Sequence, residues 1–157
     1  MTPVRREALP EDLHVVGRFV RQLWLAHEDD PQRLTLEMAV ARASELMTRY
    51  RIHLWEQEDA VVAYAATQDN GDHVFIRHYV IADSLRGQNL GRTMFKEMVA
   101  ECYPGTRLRL DASMKIPGPK AFWEALGFAA WMGLSVLPAA VGAVGLGLVL
   151  AGTSNAR

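Results

Sequence analysis

The chain is poor in cysteine and in lysine. One cysteine, Cys102, stands among 157 residues, so an internal disulfide is excluded and nothing points to an oxidising compartment. The cations are mostly arginine, the lysines being Lys96, Lys115 and Lys120 alone. An excess of one charge is missing too. A formal net charge of −1 leaves no footprint for a polyanion, so nucleic acid is not an expected partner. The opening MTPVRREALPED lacks the apolar core of a signal peptide, which makes the cytoplasm the default expectation. No metal is expected. Long apolar runs are absent with one exception. Residues 134–152, LSVLPAAVGAVGLGLVLAG, are 19 residues without a charge, long enough to cross a bilayer. Pro138 and four glycines interrupt them, so the expectation is a closing pair of short buried strands rather than a membrane anchor.

What is present is ordinary for a globular protein: 50% apolar and 22% charged residues. A single domain over residues 1–157 is long enough to bury a core. VRREA (4–8) reads as a short strand. Pro10, Glu11 and Asp12 read as a helix first turn, and Leu13, Val16, Val20, Leu23 and Trp24 recur at helical spacing, so a helix should run to about His27. HEDDPQ (27–32) is a loop, and Leu36, Val40, Ala43, Met47 and Tyr50 mark a second helix. RIHLWEQ (51–57) and AVVAYAATQ (60–68) form a hairpin turning at Glu58 and Asp59. DNG (69–71) is a turn leading into the strand HVFIRHYVI (73–81). A third helix carries Leu90, Met94, Met98 and Cys102 on its apolar face, which makes Cys102 a core residue. TRLRLDAS (106–113) alternates like a strand, MKIPGPK (114–120) is a loop, and AFWEALGF (121–128) is a short helix capped by Gly127. With two strands from the tail, the order β-α-α-β-β-β-α-β-α-β-β predicts an α+β fold with a mixed sheet.

Between the 73–81 strand and the third helix lies DSLRGQNLGRTMF (83–95). A helix N-terminus presents unpaired N–H groups and a partial positive charge, a ready site for phosphate. Gly87 and Gly91 let the backbone come close to a ligand, and Arg86 and Arg92 bracket the turn. RGQNLGR therefore reads as a pyrophosphate cradle, with plain strand–helix punctuation as the alternative. GAVGLG (142–147) has similar glycine spacing but no amphipathic helix after it, and reads as strand and turn.

In this context residues 86–91, Arg-Gly-Gln-Asn-Leu-Gly, resemble motif A of the GCN5-related N-acetyltransferases (GNAT). The family pattern is Gln or Arg, two residues, Gly, one residue, then Gly or Ala. Arg86 and Gly91 match it, and Asn89 stands in for the middle glycine. AFWEALGF is similar to the motif B helix, and VRREALPEDLHVV to the opening strand and helix. The resemblance covers about residues 3–136. It implies a three-layer GNAT-like fold with a central mixed, mostly antiparallel sheet of six to seven strands and about four helices. It implies acetyl-CoA as cofactor, with the pyrophosphate on Arg86, Gly87, Gln88, Asn89, Leu90, Gly91 and Arg92. It places the pantetheine arm beside the backbone of Tyr79, Val80 and Ile81, where the strand splays from its neighbour, often at a bulge. A backbone N–H near Val80 would polarise the thioester carbonyl.

The implied reaction is attack of a primary amine on the thioester, and an alkyl ammonium must first lose a proton. The fourth strand carries no acid for this; it offers His78, which shares a face with Val80 unless a bulge intervenes. A packed core histidine is the alternative. His73, by the DNG turn, reads as a solvated loop residue, and Glu56 is a lesser base candidate. Motif B often supplies a tyrosine to protonate the departing thiolate. Here Trp123 holds that position, at the cofactor, and an indole N–H is no general acid. Water, Ser113 or Tyr64 are open as substitutes. Ile116 falls where the motif B asparagine is usual. The acceptor should lie by the first two helices and their loop, where Trp24, Glu28 and Asp29, with His27 and Asp30, could hold a small cationic amine. The expected activity is thus acetyl transfer from acetyl-CoA to such an amine. The alternative, favoured by Trp123 and Ile116, is a weakly catalytic acyl-CoA-binding or sensing module. A homodimer made through the apolar tail is a further expectation.

Overall fold

The computed structural model describes residues 2–25, 31–112, 117–127, 129–131 and 148–153. The strands are β1 (Val4–Glu7), β2 (Arg51–Gln57), β3 (Ala60–Asp69), β4 (Val74–Ile81), β5 (Arg107–Ala112), β6 (Ala129–Trp131) and β7 (Leu148–Thr153). The helices are α1 (Leu13–Leu25), α2 (Leu36–Arg49), α3 (Leu90–Cys102) and α4 (Pro117–Ala125). The strands form one sheet in the order β1-β2-β3-β4-β5-β7-β6. Among the described residues only β4 and β5 run parallel, joined through α3; the other pairs are antiparallel. This is the mixed, mostly antiparallel sheet of the expected α+β class.

Local chemistry accounts for the element ends. Ahead of α1, Pro10–Asp12 forms a 3-10 turn. The Asp12 carboxylate accepts from the Leu9 N–H at 2.7 Å and from Arg6 at 2.7 and 2.9 Å, and the Arg6 guanidinium holds it below the usual carboxylate range. Thr35 caps α2, its Oγ1 accepting from the Met38 N–H at 3.1 Å. Glu58 and Asp59 both take positive φ, 50° and 62°, the geometry of the two-residue hairpin turn expected there. Gly127 closes α4 at φ 95°, with its N–H donated to the Glu124 carbonyl at 3.0 Å.

Two expectations move. α4 begins at Pro117, inside the stretch read as a loop from its prolines and glycine. Proline is well suited to the first turn of a helix, where its missing N–H has no partner to lose, so MKIPGPK does not delay the helix to residue 121. Two tail strands are present among the described residues, where β6 precedes the apolar run and β7 begins within it. β7 sits between β5 and β6 of its own chain. Residues 132–147, with the GAVGLG stretch, lie outside the described residues. No helix among the described residues is long and apolar enough to cross a membrane.

The sheet separates two cores. On one face Val16, Phe19 and Val20 of α1 and Ala39, Ala43 and Leu46 of α2 pack on Ile52, Leu54, Tyr64, Ala66 and Val80. On the other, Met94, Phe95, Met98 and Val99 of α3 and Trp123 of α4 pack on Trp55, Ala63, Ala65, Val74, Ile76, Leu108 and Leu110.

Candidate active site

β4 changes character halfway along. Ala66 pairs with His78 but Thr67 pairs with Ile76, so Arg77 is an extra residue, a β-bulge. A bulge reverses the alternation of side chains. Before it, Val74 and Ile76 face the α3–α4 core; after it, Tyr79 and Ile81 do, while Val80 faces α1 and α2. The pairing with β5 covers Val74, Ile76 and the residue between them, and stops at the bulge. β5 continues along β7 as far as Ala112. Beyond Ile76 the two parallel strands therefore part, and the edge of β4 that turns away from β3 is open to an extended, amide-bearing arm.

The loop that follows is shaped by three residues. Leu85 is buried and anchors a 3-10 turn at Asp83–Leu85. Gly87 adopts φ 78°, and Asn89 stands in the left-handed region at φ 59°, just before α3. Gly91 answers a different need: a Cβ there would lie 2.5 Å from Ile81 Cδ1, so glycine lets the helix start this close to β4 without turning the tip of Ile81 aside. The N-terminus of α3 is left without a side-chain cap and without an acid in its first turn, and that turn carries Arg92, exposed. A cation at the positive end of a helix dipole is unfavourable until an anion lies against both. Arg86 is exposed too, its Nε 3.1 Å from Asp83 Oδ1.

A tyrosine ties the strand to the loop. Tyr79 Oη donates to the Gly91 carbonyl at 2.7 Å. Its ring lies among Phe95, Phe122, Trp55 and Trp123, with centroids 5.5–6.1 Å away, and burial pushes the phenol pKa up. Trp123 is one member of this aromatic floor, 8% exposed and 5.1 Å from Phe95. It stands under the strand end as a packed residue.

His78, half-buried, points with Val80 toward α1 and α2. Its Nδ1 lies 3.0 Å from Tyr64 Oη. Tyr64 is fully buried and stacked on Phe19 at 5.9 Å, and burial raises its pKa, so the phenol is un-ionised at neutral pH. The other base candidate is committed elsewhere. Glu56 accepts from Arg6 at 2.9 Å in a cluster with Asp12, at the β1 side of the sheet. His73 bonds Asp72 at 2.7 Å and Asn70 at 3.2 Å in the turn, as expected for a loop residue. Trp24 packs against the α1–α2 core. His27, Glu28, Asp29 and Asp30 lie outside the described residues, as do Ser113 and Ile116.

Two groupings went unread in the sequence. One is a cleft of about 630 Å³ between α1, the start of α2 and the loop after β4, where Arg18, Arg21 and Gln22 face Asp83 and Arg86. Its signal was the spacing of Arg18, Arg21, Gln22 and Leu25, a second helical stripe beside the apolar one. The other is a buried polar chain of Arg5, His53, Thr67 and Tyr103, which no local pattern announces.

A splayed pair of parallel strands followed by an uncapped helix N-terminus leaves room for an extended arm along the strand edge and for an anion at the helix start. The family model described as "Acetyltransferase (GNAT) family" matches residues 18–128. The chain belongs to the acetyltransferase (GNAT) family, and the cofactor of that family is acetyl-CoA. Solved structures agree on the fold. An acetyltransferase from Thermus thermophilus superposes with a TM-score of 0.74 at 20% identity, over 98% of this chain and 97% of its own. The PaiA N-acetyltransferase of Thermoplasma acidophilum, in complex with coenzyme A, gives 0.69 at 11%, over 98% and 99%. The ribosomal-protein-S18-alanine N-acetyltransferase of Escherichia coli gives 0.67 at 18%, over 97% and 94%. No curated protein matches the chain.

Proposed function

We propose that this protein transfers the acetyl group of acetyl-CoA directly to a primary amine of a small cationic acceptor, in the cytoplasm. The observation that carries the reading is the junction of β4 and α3. The strand edge opened at the Arg77 bulge meets a helix start that has no cap, no acid and an arginine in its first turn. The residues suit the cofactor: a Cβ at Gly91 would crowd the tip of Ile81 at the strand end, and Gly87 and Asn89 turn the backbone through positive φ. Arg86, Gly87, Gln88, Asn89, Leu90, Gly91 and Arg92 hold the pyrophosphate, and the backbone of Tyr79 and Ile81, which faces the open edge while that of Val80 faces β3, pairs with the pantetheine amides.

Bound there, acetyl-CoA would supply an activated acetyl carbon: its bond to the amine nitrogen forms, its bond to sulfur breaks, and CoA leaves as the thiolate, which takes up the second proton that the nitrogen sheds. In register with β3, where Ala82 N–H meets the Val62 carbonyl, Val80 N–H is turned to the Tyr64 carbonyl, so the N–H that polarises the thioester carbonyl is assigned to a neighbour on the open edge, Tyr79 or Ile81, rather than to Val80. His78 takes the proton that the ammonium must lose. That role asks for Nδ1–H donated to Tyr64 Oη and a lone pair on Nε2, so the buried phenol selects the tautomer and steadies the imidazolium. Trp123 supplies no acid, and its place in the aromatic floor makes it a support for Tyr79. Calorimetric titration with acetyl-CoA, followed by an amine screen read by free-thiol release, tests the reading. Micromolar binding with turnover is expected. Binding without turnover of any amine would favour the sensing module, and no binding would sink both.

A further inference from the structure

We propose that the acceptor carries, besides its amine, an anionic group, a carboxylate or a phosphate, which docks on Arg18 and Arg21 in the cleft beside the end of β4. This rests on the amine-acetylation reading above and narrows its substrate class.

The cleft is built by one stripe of α1. Arg18, Arg21, Gln22 and Leu25 recur at intervals of three and four residues, so their side chains stand together on one side of the helix. That side is distinct from the buried side carrying Val16, Phe19 and Val20. Across from it stand Asp83 and Arg86, so the described walls carry three arginines against one carboxylate. Asp83 is already paired with Arg86 at 3.1 Å. Arg21 spends its Nε on the Leu34 carbonyl at 2.9 Å, which fixes the guanidinium and leaves its other N–H groups for a ligand. Arg18 is exposed and makes no side-chain hydrogen bond or ion pair among the described residues. Two arginines held on adjacent positions of one helix face repel each other, and an anion between them relieves the repulsion.

The cleft belongs to the reaction centre by position. Gln22 Nε2 donates to the Ile81 carbonyl at 3.2 Å, so the arginine stripe is fastened to the last residue of β4. His78 and Val80, on the same strand, turn toward α1 and α2, the side on which the cleft opens. An acceptor whose anion sits on Arg18 and Arg21 would thus lie on the His78 side of the sheet. Apart from the Ile81 carbonyl, which Gln22 holds, the open edge toward β5 is left to the cofactor. Leu25 and Leu36 supply the apolar remainder of the wall, which fits a short organic body between the two charged ends.

The test uses the full chain and matched acceptors that differ by one charged group: cadaverine and lysine, tryptamine and tryptophan, agmatine and arginine, ethanolamine and phosphoethanolamine. Free-thiol release gives kcat/KM, and the melting temperature with coenzyme A bound gives binding without turnover. The acid-bearing member of at least one pair should be preferred by roughly tenfold or more. The fourth pair tells phosphate from carboxylate. Arg18→Glu, at an exposed position that spares the fold, should abolish the preference while the acetyl-CoA dissociation constant stays within about twofold. Loss of acetyl-CoA affinity in that variant would assign the arginines to the cofactor phosphates and overturn the proposal. So would equal or better use of the amines without the acid. Stabilisation by the acid-bearing members without any turnover would keep the anion site on Arg18 and Arg21 and sink the transferase reading, and with it the ligand's part as acceptor. No stabilisation and no turnover would sink both.

Discussion

The hydroxyl of Tyr79 reaches from the end of β4 to the carbonyl of Gly91, 2.7 Å away, and so fastens the open strand edge to the first turn of α3. The two parts that must hold one cofactor are thereby linked by a side chain that is itself locked among Phe95, Phe122 and Trp123. Tyr79→Phe keeps the ring and removes the bond. A buried hydrogen bond of this kind is worth about 1 kcal/mol. The variant should lose about that much in urea unfolding and bind acetyl-CoA several-fold more weakly. Wild-type affinity would mean that the helix start is held by packing alone.

Gly91 makes a sharper case. The methyl group of Gly91→Ala would arrive 2.5 Å from Ile81 Cδ1 and 3.4 Å from the Phe122 ring. The tip of Ile81 must turn aside or the helix start must move, at a cost of up to about 1 kcal/mol if the side chain gives way. Acetyl-CoA affinity should fall with it. Ile81→Val deletes the clashing Cδ1, so the double variant should recover most of the loss. If Gly91→Ala alone binds normally, close approach of α3 to β4 is not what the site requires.

Most of this fold was legible because its signals are local. Glu58 and Asp59 turn a hairpin where strand patterns flank them, and Asn89 takes the left-handed conformation that its position in the motif demands. The cradle was legible for the same reason, being a contiguous stretch between a strand and a helix. Two kinds of feature escaped. The bulge at Arg77 leaves no mark on composition, yet it sets which side chains of β4 face which core. Contacts made across the sheet escaped as well. Glu56 reads as a free carboxylate in sequence and is held by Arg6 from a strand some fifty positions earlier. Arg18 and Arg86 meet in one cleft only once α1 has been laid beside β4.

Arg86 carries a modest effect of predictable sign. Its Nε contacts Asp83, and both side chains are well exposed, 65% and 79%. Solvent screens such a pair heavily. Arg86→Ala should weaken acetyl-CoA binding by roughly two- to fivefold, less at high salt. Asp83→Asn removes a competing anion and should tighten binding slightly. Titrations of both variants at two ionic strengths decide it. Tighter binding on loss of Arg86 would remove the residue from the cradle.

His78 and Tyr64 should separate rate from affinity. His78→Ala is expected to lower kcat by about a hundredfold or more, the usual worth of a positioned base, with the acetyl-CoA dissociation constant unchanged. Tyr64→Phe removes the partner of Nδ1 at 3.0 Å but keeps the stacking on Phe19. It should lower kcat less. It should also move the acid limb of the pH–rate profile toward lower pH, because the imidazolium loses the oxygen that accepted its Nδ1–H. An unchanged profile would remove Tyr64 from the proton path, and a shift toward higher pH would make the phenol the donor. Unfolding of His78→Ala would make His78 a core residue instead.

His53 sets a pH dependence that has nothing to do with the reaction. It is fully buried, and Arg5, which can only donate, bonds Nδ1 at 3.1 Å. Nδ1 is therefore the acceptor, and Nε2–H donates to Thr67 Oγ1 at 2.9 Å. A second proton would face the Arg5 guanidinium. Burial first, then the charges of Arg5 and Arg51, push the pKa down from 6.5 to about 3. The unfolded chain takes up the proton below about pH 6.5 and the folded chain does not, so the unfolded state binds more protons throughout that interval. Stability contributed by neutral His53 is complete above about pH 6.5 and is lost as the pH falls toward 3, at up to about 1.4 kcal/mol per pH unit. His53→Gln keeps an amide that can accept from Arg5 and donate to Thr67 but does not titrate. Urea unfolding between about pH 7 and pH 5, above the range where Asp12 and Glu101 titrate, should show a slope in the wild type that the variant lacks. Equal slopes would mean that the unfolded-state proton uptake at His53 is matched in the folded protein, and that the Arg5–His53 contact opens before the chain does.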